Sequence, residues 1–98
     1  MAKLIRTNGT IEKVIPENKK TFTLKELQKF VGGTIDITFL PSEREIVLND
    51  NGKLKGLPKN EKATKIWKKE FPIEKYPKNN DELIVGNVLI VENLSELE

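Results

Sequence analysis

Cysteine and histidine are both missing from the chain. Without them there is no disulfide, no thiolate or imidazole metal site, no cysteine nucleophile and no histidine acid–base pair. A chain without cysteine suits a reducing compartment. Long apolar runs are missing as well. The longest, Val88–Val91, is far too short to span a membrane, and Met1-Ala2-Lys3-Leu4-Ile5-Arg6 lacks the apolar stretch of a secretory signal. These absences lead us to expect a cytoplasmic protein with no membrane partner, no metal and no cofactor, which works by binding rather than as an enzyme.

What is present suffices for one core. Ninety-eight residues, 37% hydrophobic and 33% charged, make a single domain over residues 1–98 of modest stability. The net charge is only +2, but it is unevenly spread. Between Lys53 and Lys78 nine lysines stand against Glu61, Glu70 and Glu74, whereas from Asp81 onward there are five acids and no base. A basic patch beside an acidic tail is the expectation, with residues 93–98 fraying.

The pattern of residues predicts an α+β fold, a small mixed or antiparallel sheet of about five strands covered by one or two helices. Residues 3–7 and 10–15 read as strands joined by Asn8-Gly9, a dipeptide that favours tight hairpin turns. Thr23 and Glu26 have capping-box spacing. Leu24, Leu27, Phe30 and Val31 follow on one helical face, and Gly32-Gly33 ends the helix. Residues 34–40 alternate, which sends Ile35, Ile37 and Phe39 inward, and residues 45–48 return as a partner strand. Asn60 caps a helix running to about Glu70, with Ala63, Ile66 and Trp67 toward the core and Lys62, Lys65 and Lys69 on a solvated stripe. Pro72, Pro77 and Asn79-Asn80 make the next stretch irregular, and a final strand over residues 87–91 closes the sheet.

The most informative segment is Gly52-Lys53-Leu54-Lys55-Gly56-Leu57-Pro58-Lys59-Asn60. Glycines let backbone N–H groups approach an anion, a following helix start adds partial positive charge, and lysines add mobile cations. On this basis Asn51, Gly52, Lys53, Lys55, Gly56, Lys59 and Asn60 are the candidate ligand-binding residues. The spacing is not that of a P-loop, and a purely structural turn accounts for the same residues. Lys62, Lys65 and Lys69 could follow a nucleic-acid backbone with Trp67 or Tyr76 stacking on bases, or simply solvate the helix. Glu43 and Glu45 could share a strand face as paired carboxylates, although nothing nearby supplies a nucleophile and surface charge is the simpler account.

The stretch from Asn49 to Asn60 resembles the N-x-x-G-x-x-x-G-L-P-x-N signature of domain of unknown function 3846, a small family of phages and bacterial mobile elements. Val31-Gly32-Gly33 and Val85-Gly86-Asn87-Val88-Leu89-Ile90-Val91 are similar to further parts of its pattern, so the resemblance covers nearly the whole chain. It implies a phage-type accessory protein and transfers no catalytic residue. Proteins of that sort often counter host defence, and three activities are expected in order. The first is an anti-defence sponge that sequesters a small anionic nucleotide at the loop, aided by homo-oligomerisation because so small a chain encloses little volume alone. The second is a protein–protein inhibitor of a host defence enzyme acting through the acidic surface, and the third is nucleic-acid binding through the lysine-rich helix.

Overall fold

The computed structural model describes residues 2–92. Asn8-Gly9 does what its turn chemistry predicts. Gly9 takes a φ of +92°, its N–H donates to Arg6 O at 2.9 Å, and strands β1 (Ala2–Ile5) and β2 (Ile11–Val14) pair on either side. Helix α1 (Leu24–Val31) starts with both halves of the capping box, Glu26 N–H to Thr23 Oγ1 at 3.2 Å and Thr23 N–H to Glu26 Oε1 at 3.0 Å. It ends at Gly32, whose φ of +78° is the left-handed C-terminal conformation that glycine adopts without strain. Strands β3 (Ile35–Phe39) and β4 (Glu45–Asn49) form a second hairpin. Helix α2 (Glu61–Glu70) follows. In the stretch expected to be irregular, a single turn of helix, α3 (Pro77–Asn80), precedes strand β5 (Val88–Val91).

The sheet is fully antiparallel, in the order β2-β1-β5-β4-β3. The last strand is therefore its middle. All four β5 residues are at most 1% exposed, because β5 is paired on both edges and covered on both faces. On one face α1 packs Leu27 and Val31 over Leu4, Val47, Leu89 and Val91, with Phe22 sealing the end. On the other, Ala63, Trp67 and Phe71 pack over Ile5, Ile46, Val88 and Ile90.

Two expected inward positions are not inward. Ile37 and Phe39 are 41% and 66% exposed, because β3 is an edge strand lying beyond the cover of α1, which reaches only Ile35. Leu24 is exposed for a related reason: it is the first residue of α1 and projects past the sheet. Glu43 and Glu45 do not form a pair. Glu43 sits in the β3–β4 turn at a φ of +68°, whereas Glu45 is a buried position within β4. The expected fraying of residues 93–98 falls outside the described residues.

Candidate functional site

Residues 49–60 carry the chain from β4 to α2, with an asparagine at each end. Asn49 Nδ2 donates to Val31 O at the end of α1 (3.0 Å), and its Oδ1 accepts from Asn51 N–H at 2.8 Å. Asn60 is completely buried. Its Nδ2 donates to Ile5 O and to Gly86 O, both at 2.9 Å, while Oδ1 accepts from Ala63 N–H at 3.0 Å and so caps α2. One amide thus joins β1, the approach to β5 and a helix start.

Between the asparagines the loop is closed by its own backbone. Gly52 N–H donates to Asn49 O, Lys55 N–H to Asn51 O, Gly56 N–H to Lys53 O and Leu57 N–H to Gly52 O. A Cβ on Gly52 would lie 3.0 Å from Val85 Cγ2, and one on Gly86 2.8 Å from Leu57 Cδ1, so both glycines sit in tight contact with these side chains, and Gly86 also has a φ of +75°. Gly56 has a φ of +66°, and Pro58 O accepts Gly86 N–H at 2.7 Å. Every fixed position of the N-x-x-G-x-x-x-G-L-P-x-N pattern therefore has a structural task, fastening the loop to α1, to residues 84–86 and to α2. A family model described as Domain of unknown function (DUF3846) matches residues 4–97. The chain belongs to that family. No curated protein and no solved structure gives a match.

The candidate ligand residues of this DUF3846 domain separate into three groups. Asn51, Gly52 and Lys53 line an open groove of about 330 Å³. Lys55, Gly56 and Lys59 are exposed but outside its lining. Lys55 Nζ is 2.9 Å from where a Gly33 Cβ would stand, beside the C-terminal end of α1, whose partial negative charge suits a cation. Asn60 lies beneath, with its side chain wholly engaged and no group left for a ligand. The loop amides named above point into the loop rather than toward a bound anion.

The rest of the groove's lining comes largely from distant parts of the chain. Asp36, Thr38 and Leu48 come from the β3–β4 hairpin, Asp50 and Leu54 from the loop, Trp67 from α2, and residues 82–85 form the far wall. Asp36, Asp50 and Glu82 are its acids. Lys53 is the one cation among the lining residues, and it is paired with Glu82. No periodicity could have gathered these residues, since pairing of distant strands assembles them. The one usable signal was the outward phase of Asp36 and Thr38.

On α2, Lys62, Lys65 and Lys69 are exposed, as the stripe predicts, and so is Lys68. Trp67 is 5% exposed and its Nε1 donates to Asn79 O at 2.6 Å, while Tyr76 packs edge-on against Phe71, so neither ring is free to stack on a base. A second hollow of about 510 Å³ on the α1 face mixes Arg6 and Lys29 with Glu17 and Glu26. Of these, Arg6 is bonded to Glu12 and Glu26 serves the capping box. Of the expected acidic tail, Glu82 is paired with Lys53 and Glu92 lies 3.4 Å from Lys3. No described helix is long and apolar enough to cross a membrane.

Proposed function

We propose that this DUF3846 domain is a phage-type accessory binding protein that takes a basic segment of a partner protein into the groove beside its signature loop. The supporting observation is the sign of that groove. Among its lining residues Lys53 and Glu82 pair with each other, which leaves Asp36 and Asp50 as the uncompensated charges, over an apolar floor and wall of Leu48, Trp67, Leu83 and Ile84. Apolar walls with a few placed charges are the usual make-up of a specific site, and negative lining attracts cationic groups while repelling phosphates. An anionic nucleotide, the first expectation, would find like charge in the groove and inward-turned amides in the loop. In the setting implied by the family resemblance, the partner is a cytoplasmic host defence enzyme with a basic nucleic-acid-binding surface, which this domain blocks by occupying it.

Titration of the isotope-labelled protein with an Arg/Lys-rich peptide and, separately, with linear and cyclic nucleotides tests this. Peptide-induced shifts should centre on Asp36, Asp50 and Leu83, and should vanish in the Asp36→Asn, Asp50→Asn, Glu82→Gln triple variant. Shifts driven by nucleotides around Lys53 and Lys59, with none driven by peptide, would reverse the assignment.

A further inference from the structure

The two edges of the sheet are built differently. β2 presents Ile11-Glu12-Lys13-Val14, with a charge on each face, the usual protection of an edge against pairing with another chain. β3 presents Ile35-Asp36-Ile37-Thr38-Phe39, without lysine, proline or bulge, and with Ile37 and Phe39 left exposed beyond α1. Its free hydrogen-bonding groups can be located. Asp50 N–H donates to Thr34 O and Leu40 N–H to Arg44 O, so the even-numbered residues of β3 bond inward to β4. Because antiparallel bonding alternates, Ile35, Ile37 and Phe39 turn their N–H and C=O groups outward. Two of these three, Ile37 and Phe39, also carry the uncovered side chains, while Ile35 packs at the margin of the α1-side core.

We propose that this edge is a dimer interface, with β3 pairing antiparallel to β3 of a second copy of this chain about a two-fold axis at Ile37. That register uses all five residues. It sets Ile37 opposite the partner's Ile37 and Ile35 opposite the partner's Phe39, making one apolar strip on the α1 side. On the other side it sets Asp36 opposite the partner's Thr38, a hydroxyl facing a carboxylate. Moving the axis to Asp36 would oppose two carboxylates, which is destabilising across a strand pair; moving it to Thr38 would run the strand into Pro41. The charge pattern of β3 is thus complementary to itself in one register. Asp36 and Thr38 also line the groove, so the grooves of the two copies meet across the axis. The interface does not depend on what the groove binds.

Sedimentation of the full chain over a concentration series reports the mass, with circular dichroism as a check on folding. The wild-type chain should reach the dimer mass, and Ile37→Glu should remain folded and monomeric. A monomer at every concentration up to millimolar, or a dimer that survives Ile37→Glu, overturns the proposal. The absence of native cysteine permits a register test. Ile37→Cys places two thiols on Cα atoms about 5.5 Å apart, within disulfide reach, whereas the exposed Thr34→Cys places them about 20 Å apart. Cross-linking should therefore be at least tenfold faster at 37 than at 34, and equal rates would refute the register.

Discussion

Removing the Asn60 amide would take one bond each from Ile5 O and Gly86 O and leave the first turn of α2 without its cap. Each lost cap or buried hydrogen bond costs on the order of 1–2 kcal/mol, so Asn60→Ala should destabilise the fold by ~3 kcal/mol in urea denaturation. Asn60→Asp separates the roles, since it keeps the capping oxygen and loses both donors. Equal stability of the Asn60→Asp variant and the wild-type protein would show that the bonds to Ile5 and Gly86 contribute nothing. By contrast Lys59, whose side chain is exposed and without a partner among the described residues, should tolerate alanine within ~0.5 kcal/mol. Acid sensitivity has an equally local origin. At Glu70 burial favours the proton, but the Arg44 side chain and the Ser42 hydroxyl and N–H outweigh it and hold the carboxyl below its ordinary value. Backbone bonds from Thr23 and Glu17 lower Glu26 in the same direction. Both carboxylates therefore contribute stability that is complete above the unfolded value of about 4.3 and is lost as pH falls through the lower folded values. Urea midpoints should be level from pH 6 to 8, where no histidine titrates, and fall below about pH 4. In Glu70→Gln that fall should be shallower, and an unchanged slope would remove Glu70 as a cause.

Helix α1 shows which element features a sequence can carry. Its start and stop are written within a few residues, as Thr23-x-x-Glu26 and Gly32, and both form as expected. What lies opposite the helix is not written there. Leu24 and Leu27 belong to the same helical face, yet Leu24 overhangs the sheet while Leu27 enters the core. Leu27→Ala should consequently cost ~3 kcal/mol and Leu24→Ala under ~1 kcal/mol, a contrast that thermal or urea unfolding of the two variants measures directly. In β3 the alternation was legible, and Ile35, Ile37 and Phe39 do share one face, but alternation cannot say how far α1 extends over it. The signature loop was legible as turn chemistry. Its lysines suggested an anion site, because composition reveals charge and not the direction of an N–H group. The groove was legible only in part: Asn51, Gly52 and Lys53 line it as the turn suggested, whereas Asp36, Asp50 and Glu82 come from distant parts of the chain that only the fold brings together.

At the scale of the molecule the decisive fact is that the strand made last lies in the middle. β1–β2 and β3–β4 are local hairpins with no direct pairing to each other, and β5 is the ladder that joins them. It also contributes to both cores, Val88 and Ile90 on the α2 side and Leu89 and Val91 on the α1 side. Isolated hairpins are marginally stable at best in water, so a chain cut after Gly86 loses more than one strand's share of the burial. It loses the surface on which each helix rests, and the pairing that brings the hairpins together. The Asn60 bonds cannot replace that pairing, because they tie β1 and Gly86 to the start of α2 and reach neither β3 nor β4. The truncated chain should show neither a cooperative urea transition nor dispersed amide signals in a proton–nitrogen correlation spectrum. Ile37→Pro, on the edge strand, removes only an outward-facing N–H and should retain both. A cooperative transition in the chain ending at Gly86 would mean that the hairpins and helices form a core without β5, and the two-sided role assigned to that strand would be wrong.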